Sequence, residues 1–348
     1  MLGKNLKYYR LKNGLSKAKL AEKVGVSPMS ITHYESDERK PSMDILKALA
    51  TALNVKVSDF LANEGEIRSL TYGEFRKGSK LSKNQQEYIY ASLEEYMNRF
   101  YYAVRILGGK VMPTPPDSHG VQLSSNAEDD AKALRKYLHI SEIGPVGNLV
   151  EMLENIGILV YFIDIDNDAF SGINGQVNGR PYIAVNGNMS PERIRSTIVH
   201  EMAHFIFEWP EDMEDDRIED RATAISGAFL LPEEDAKREL GLKRRAISND
   251  MQLICKEYGI SMFMLAKRAV LCGIVSDNAA KNFYILASQN GWRKNEPVRI
   301  PKEEPTLFSQ LIFRAVSESE ISIQKGAELL KKPYTYVAEQ CFATKGEL

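Results

Sequence analysis

The sequence predicts a mostly helical α+β protein with more than one domain. Its 348 residues correspond to about two domains at roughly 150 residues each. Apolar residues recur at spacings of three and four over most of the chain, which is typical of helices that bury one face. A central region, 158–185, instead carries short apolar runs typical of strands. With 43% hydrophobic and 26% charged residues, the chain has the composition of a globular protein with a substantial core.

Composition excludes several classes of protein. No apolar stretch approaches the roughly 20 residues of a membrane helix, and the longest candidate, 263–275, is interrupted by Lys267 and Arg268. The first residues are charged where a secretion signal would be apolar. Three cysteines are too few for a disulfide framework. We therefore expect a cytoplasmic protein without a membrane partner.

Charge is distributed unevenly, although the formal net charge is only −2. Residues 1–61 hold eleven Lys or Arg against six Asp or Glu, whereas residues 205–220 hold eight acids and one Arg. A basic segment suits an anionic polymer such as nucleic acid. The acidic run is either a solvated surface or a site for a cation.

Residues 1–62 are predicted to form an N-terminal all-α domain of four short helices. Ser16, Ser27 and Ser42 each stand where an N-cap is expected, and Gly25 stands where a helix must end in a sharp turn. The stretch GLSKAKLAEKVGVSPMSITHYESDERKPSMDILKALATALNV strongly resembles the helix-turn-helix of Cro/CI-type (XRE) repressors. This resemblance implies a homodimer that binds double-stranded DNA, with the helix of residues 27–35 in the major groove.

The resemblance also implies which side chains contact DNA. The implied residues are Ser27, Met29, Ser30, Thr32 and His33 at base edges or phosphates, and Lys17 and Lys19 at the phosphate backbone. Pro28 and Lys17 depart from the family, which often has a polar base-reading residue and Gln at these positions. The alternative interpretation is a solvated helix in a module that docks a protein.

Residues 63–125 are predicted to be a linker followed by one long helix. The linker, 65–78, is polar and rich in turn formers, and the helix spans 82–107 with an aromatic-rich apolar face. We expect this face to pack in a core or in a dimer seam. Gly108 and Gly109, followed by prolines, end the helix.

Residues 126–275 are predicted to form a third unit, and residues 276–348 a helical C-terminal region. The predicted elements are helices over 127–139 and 144–156, strands over 158–165 and 181–185, a hairpin-like turn over 169–179, helices within 249–275, and two or three helices over 308–343. Ser190 and Pro191 then open a further helix as N-cap and first helical residue.

The helix after Pro191 carries the motif His200-Glu201-Met202-Ala203-His204. Histidines four residues apart lie on one helical face, so both imidazoles can bind one tetrahedral zinc ion. Glu201 projects beside the metal position, where it can accept a proton from a water molecule. The alternative is a buried helix with two hydrogen-bonded histidines.

A catalytic zinc site needs a third protein ligand and one open position. The acidic run supplies candidates on a helix predicted over 216–230. Glu219 flanks the apolar stripe of that helix, so it can point towards the two histidines. Asp216 and Asp220 are its rivals.

The stretches GRPYIAVNGNMSPERIRSTIVHEMAHFIF and IEDRATAISGAFLLP resemble the ImmA/IrrE-type zinc endopeptidases, which have a zincin-like fold. The resemblance covers about residues 127–275. It implies that His200, His204 and Glu219 hold Zn²⁺ and that Glu201 is the catalytic base. It also implies a protein substrate, a repressor or antitoxin. A separate hypothesis, drawn from the predicted strand, is that residues 182–185 pair with an extended segment of that substrate.

Three functions agree with these motifs. The favoured one is a DNA-binding regulator with a zinc endopeptidase domain, active in a stress or mobile-element response. The second is a transcription factor whose metallopeptidase-like body only senses a ligand or dimerises. The third is an antitoxin-like docking module. The complete HExxH motif favours the first, because a purely structural body has no use for Glu201.

Overall fold

A computed structural model of the chain describes residues 2–61, 67–73, 81–293 and 295–341. Helices predominate in these ranges, and six short strands form two small sheets, so the predicted class, mostly helical α+β, is confirmed. In the same ranges, no helix combines the length and the apolar character that crossing a bilayer requires. The predicted boundary after residue 62 lies outside the described residues.

The N-terminal domain consists of short helices whose ends are set by local sequence. They are α1 (Leu2–Lys12), α2 (Lys17–Val24), α3 (Pro28–Glu35), α4 (Met43–Leu53) and α5 (Val57–Leu61). Ser16, Ser27 and Ser42 each accept a backbone N–H as predicted, and Gly25 adopts a φ of 73°. Helix α5 was not predicted, because five residues are too few to show helical periodicity.

The long helix α6 (Lys83–Ile106) connects this domain to the rest of the molecule. Ser82 opens it with a complete capping box. Helix α1 packs against α6, and ion pairs from Lys4 to Glu94 and from Lys7 to Glu87 flank the contact. The aromatic-rich face of α6 is buried in a hydrophobic core, which confirms core packing for that face.

The main sheet has four strands in the order β1 (Leu70–Tyr72), β4 (Gly172–Val177), β5 (Arg180–Asn186), β3 (Leu159–Ile163). Strands β3 and β5 are parallel, while β4 is antiparallel to both β5 and β1. A second, parallel pair is formed by β2 (Val121–Gln122) and β6 (Phe207–Glu208).

Two of these strands correct the sequence analysis. Strand β1 lies inside the predicted linker, and β4 lies inside the predicted turn region. The sequence of β4, GINGQV, is rich in residues that are typical of turns, and β1 pairs with residues more than 100 positions away. The pairing of β1 leaves no local signal in the sequence, whereas the pairing of β4 with β5 leaves one, the two-residue Asn178-Gly179 loop between them.

The remaining helices surround the sheet. They are α7 (Ala127–Tyr137), α8 (Leu149–Asn155), α9 (Pro191–Ile206), α10 (Asp215–Leu230), α11 (Glu233–Leu240), α12 (Met251–Tyr258), α13 (Met262–Leu271), α14 (Asp277–Gln289), α15 (Leu307–Ser317), α16 (Ile323–Leu330) and α17 (Tyr334–Cys341). Helix α8 begins at Leu149, later than the predicted residue 144, because Asn148 is its N-cap. The carbonyls of Gly144 and Gly147 instead accept hydrogen bonds from buried arginines.

The sheet separates two hydrophobic cores. Along β5, Ile183 and Val185 contribute to the core that contains α9 and α10, whereas Tyr182 and Ala184 contribute to the core of α6 and α15. This alternation follows the two-residue period of a strand. The predicted C-terminal helices thus complete the second core beside α6.

Strand β5 is an interior strand, with β3 on one side and β4 on the other. The expectation that residues 182–185 pair with a substrate is therefore wrong, because both backbone edges of β5 are already used. Of the two neighbours of β5, it is β4 that also packs against α9, the helix with the HExxH motif.

Candidate metal centre

Helices α9 and α10 position the predicted metal ligands. Helix α9 packs with one side against β4 and β5 and with another against α10. Most of its residues are buried. The Ser226 hydroxyl on α10 donates a 2.8 Å hydrogen bond to the Ser196 carbonyl on α9. This contact fixes the spacing of the two helices near the histidines.

The side chains of His200, His204 and Glu219 converge. The Nε2 atoms of the two histidines are 3.1 Å apart. Glu219 places Oε2 3.3 Å from His200 Nε2 and Oε1 3.4 Å from His204 Nε2. Ligands of a tetrahedral zinc ion with bonds of roughly 2.0–2.1 Å lie about 3.3 Å from one another. The donor set and its spacing therefore fit a zinc ion.

The acidic rivals of Glu219 do not take part. Asp216 and Asp220 lie on the same helix but are exposed. Within the residues that the structure describes, the one group that could hold a metal ion is His200, His204 and Glu219. Asp220 lies on another face of α10, whereas Asp216 lies nearly one turn before Glu219 on a similar face and is set apart by the exposure of its side chain.

The electrostatics of the site favour an ionised Glu219. Burial raises the pKa of this carboxyl, but hydrogen bonds and charge from His200 and His204 outweigh burial and hold the pKa well below its usual range. His200 is 7% exposed, whereas His204 and Glu219 are half-buried. One side of the cluster is therefore accessible, as an open coordination position requires.

Two residues that the sequence analysis missed contact the histidines, one at a ring nitrogen and one at the backbone. Thr223 Oγ1 lies 3.3 Å from His200 Nδ1, and Trp209 Nε1 donates to the backbone carbonyl of His204 at 3.2 Å. A partner on Nδ1 leaves Nε2 for a metal ion. Thr223 had a signal in the sequence, since it follows Glu219 by four residues and so shares its helical face.

Glu201 follows His200 on α9 and is 8% exposed. Its Oε2 accepts a 2.9 Å hydrogen bond from Asn174 Nδ2 on β4. Strand β4 approaches closely because it has a glycine at position 172, where a Cβ would lie 2.7 Å from Thr197 Cγ2 and 3.1 Å from Glu201 Cγ. Asn174 was missed because the sequence predicts a turn in this region.

The predicted DNA-contacting side chains divide into two groups, of which the first makes local contacts. Ser27 Oγ accepts the Ser30 N–H at 3.1 Å and lies 2.9 Å from Ser30 Oγ. Thr32 Oγ1 donates to the Pro28 carbonyl at 3.2 Å. His33 Nδ1 lies 2.5 Å from Glu38 Oε2. These four predicted residues therefore cap, stabilise or flank α3.

In the second group two side chains are exposed and the third, Lys17, is ion-paired and partly buried. Met29 is 62% exposed, and Lys19 is exposed on α2. Lys17 lies with its Nζ 3.7 Å from Glu35 Oε2. Glu35 also binds the buried Arg10 of α1, a pair that the sequence analysis missed and that ties α3 to α1.

Comparisons with known proteins agree with both halves of this arrangement. Residues 6–60 match the helix-turn-helix family model, and residues 153–270 match the model of the IrrE N-terminal-like domain of the M78 peptidases.

Two curated relatives are similar over part of the chain. Over 66 residues, 19% of the chain, it is 36% identical to the HTH-type transcriptional regulator ImmR of Bacillus subtilis (strain 168), of which it covers 51%. Over 123 residues, 34% of the chain, it is 27% identical to the HTH-type transcriptional regulator SutR of Escherichia coli (strain K12), of which it covers 64%. The chain therefore spans about half to two thirds of the length of these relatives. Taken with the geometry above, the matches show that the chain joins an XRE-type helix-turn-helix domain to an IrrE-like domain.

Proposed function

We propose that this protein is a DNA-binding transcriptional regulator with a zinc-dependent endopeptidase domain that cleaves a repressor or antitoxin. The observation that carries the proposal is the convergence of His200, His204 and Glu219 on one point. With DNA as its partner, we place its action in the cytoplasm.

The three converging residues would hold the zinc ion through two imidazole nitrogens and one carboxylate. When bound, zinc acts as a Lewis acid that polarises a carbonyl and lowers the pKa of water. Thr223 keeps the His200 ring oriented through its Nδ1 contact of 3.3 Å. This contact holds the ring in the orientation that binding requires before the ion arrives.

Glu201 supplies the proton transfers of peptide hydrolysis. Its carboxylate takes the proton of the water that attacks the peptide carbonyl carbon, and then passes this proton to the nitrogen of the departing amine. Asn174 holds Oε2 by its 2.9 Å hydrogen bond, which leaves Oε1 for the water. The low exposure of Glu201 keeps bulk water from competing for this carboxylate.

Glu201→Gln tests the peptidase. The amide is nearly isosteric with the carboxylate but cannot accept the proton, so we expect full zinc content and no cleavage. Zinc-loaded wild type and variant would be incubated with the proteins encoded by neighbouring genes, and cut sites mapped by mass spectrometry. Cleavage by the variant at the wild-type rate would show that Glu201 is not the base.

The DNA-binding half of the proposal rests on the exposed face of α2 and α3. Lys17 and Lys19 are assigned to phosphates, and Met29 to a base edge in the major groove. Ser27, Ser30, Thr32 and His33 are assigned to the same interface. A homodimer would place two copies of α3 about 34 Å apart, one turn of DNA.

Lys19→Glu tests this half by fluorescence anisotropy on operator DNA over a range of salt concentrations. We expect weaker binding and a shallower slope of log affinity against log salt concentration. The loss of one phosphate contact reduces this slope by roughly one unit, and the reduction should be larger here because the new glutamate also repels DNA. Lys243→Glu is the matched control, since Lys243 is exposed in the IrrE-like domain. Equal binding by wild type and Lys19→Glu would show that α2 does not contact DNA.

A further inference from the structure

The edge of the sheet that borders the candidate metal centre is covered by the chain's own connector. Strand β4 carries Asn174, which holds Glu201. The outer edge of β4 pairs antiparallel with β1, with Leu70 opposite Val177 and Tyr72 opposite Gly175. The Gly73 N–H then donates to the Asn174 carbonyl at 2.7 Å. The pairing therefore runs up to the residue that contacts the proposed base.

Several contacts fix β1 in this register. The hydroxyl of Tyr182, a fully buried side chain, donates to the Thr71 carbonyl at 2.9 Å. The Asn178 Oδ1 accepts the N–H groups of Arg68 and Ser69 at 2.8 and 3.2 Å. The Thr71 side chain adds a contact of its own, since its Oγ1 accepts the Gln176 N–H at 3.0 Å. The other contacts are made to the backbone at β1 and just before it, so they suit an extended peptide of similar shape.

The outer edge of β4 also favours particular residue types in the strand that pairs with it. The ring of Tyr72 lies 4.3 Å from the ring of Tyr90 on α6. Opposite Tyr72, a Cβ on Gly175 would lie 2.3 Å from the Thr71 carbonyl oxygen, so β4 needs glycine there. A Cβ on Gly73 would lie 2.9 Å from the Asn174 carbonyl oxygen. An aromatic residue followed by glycine therefore fits this edge well.

We propose that β1 is an intramolecular stand-in for the substrate. The outer edge of β4 receives an extended segment of the protein substrate by strand addition, and Leu70–Tyr72 occupies that edge until a substrate displaces it. The substrates are segments with an aromatic residue followed by glycine. This inference rests on the proposed peptidase function.

The stand-in has a regulatory consequence. A tethered segment competes at an effective concentration in the millimolar range, so weakly binding peptides do not reach the edge. Strand β1 lies in sequence between the helix-turn-helix domain and α6. An event that draws this connector away from the sheet opens the edge.

A binding experiment tests the proposal without requiring cleavage. All proteins carry Glu201→Gln in the full-length chain, and the probe is a fluorescent peptide with the sequence of residues 67–73, IRSLTYG. One variant carries Leu70→Cys and Val177→Cys, a directly opposed pair that an oxidant can join by a disulfide. A second variant carries Thr71→Pro, which removes a backbone donor from β1. Thr71→Val is its control, since it keeps the backbone N–H.

We expect the peptide to bind Thr71→Pro at least tenfold more tightly than Thr71→Val. Binding to the double-cysteine variant should fall at least tenfold on oxidation and return on reduction. A peptide with alanine in place of tyrosine should bind at least tenfold more weakly. Equal binding to the oxidised and reduced forms, or no binding to Thr71→Pro in a folded protein, would overturn the proposal.

The peptidase proposal is tested separately. In the double-cysteine variant with Glu201 retained, zinc content should not change with oxidation, whereas cleavage of the partner protein should fall at least tenfold. Peptide binding without cleavage in any form would leave β1 as a stand-in and reject the peptidase. Cleavage at one rate in both redox forms would reject the stand-in and retain the peptidase.

Discussion

At the scale of single residues, the candidate centre depends on one carboxylate chosen from a dense acidic run. Residues 205–220 contain eight acids, yet Glu219 alone of these joins the histidine pair in the described structure. The other seven acids of the run lie on β6, in the turn before α10 or on α10 itself, and all of them are exposed. The charge of the run therefore matters less than the position of one residue.

Replacing Glu219 by Gln should lower zinc affinity more than replacing a hydrogen-bond partner of a ligand does. Replacing such a partner typically lowers metal affinity roughly 10–100-fold. The amide keeps the size of the side chain but removes the anionic donor. Zinc affinity would be measured by competition with a chelator of known affinity. Asp216→Asn and Asp220→Asn are the controls, and we expect them to bind zinc within a few-fold of wild type. A larger loss in either control would show that the third ligand is misassigned.

At the scale of elements, the site depends on how α7 and α10 are held together. The buried guanidinium of Arg135 on α7 is 1% exposed, and burial lowers its pKa to about 10. It donates to the backbone carbonyls of Phe229, Ser141 and Gly144 at 2.5 to 2.9 Å. One side chain thus satisfies the C-terminal end of α10 and the loop before α8.

Arg135→Leu should lower the free energy of unfolding by about 3 kcal/mol or more, since it leaves several buried carbonyls without donors at about 1–3 kcal/mol each. Urea unfolding followed by circular dichroism measures the change. Arg245→Leu, at an exposed position, should stay within about 0.5 kcal/mol of wild type. Equal stability of the two variants would mean that water replaces the Arg135 donors.

At the scale of the whole molecule, the helix-turn-helix domain, α6 and the C-terminal helices meet at one lysine. Lys331, at the end of α16, places Nζ 2.9 Å from Glu95 Oε1 on α6 and 4.6 Å from the ring centroid of Tyr8 on α1. Burial, together with the charge of Arg99, lowers the pKa of Lys331 to about 8, although Glu95 opposes the shift. The helix-turn-helix domain, α6 and α16 therefore all contact one lysine whose charged form is disfavoured.

This pKa has a consequence for stability. Between about pH 8 and pH 10 the unfolded chain, with its ordinary lysine pKa near 10.5, binds more protons at this position than the folded chain does. Lys331 therefore makes stability rise with pH in this window. Lys331→Met should remove that contribution, so the free energy of unfolding of wild type should rise relative to the variant from pH 8 to pH 10. A constant difference across urea titrations in this window would mean that Lys331 titrates normally.

The sequence by itself determined the features that depend on neighbours within one or two turns of chain. The serine caps, the turn at Gly25 and the two histidines on one face of α9 follow from helical geometry, which holds wherever a helix forms. The same local geometry supported Glu219 as a candidate without excluding its rivals.

Only the tertiary structure decided which distant groups meet. The choice of Glu219, the contact of Asn174 with Glu201, the hydrogen bonds from Arg135 to Phe229 on α10 and the pairing of β1 with β4 all join residues separated by 15 to more than 100 positions. Such contacts are set by how helices and strands pack around two cores. A strand of three residues or a single asparagine in a glycine-rich stretch carries no periodic signal of the partner that it will contact.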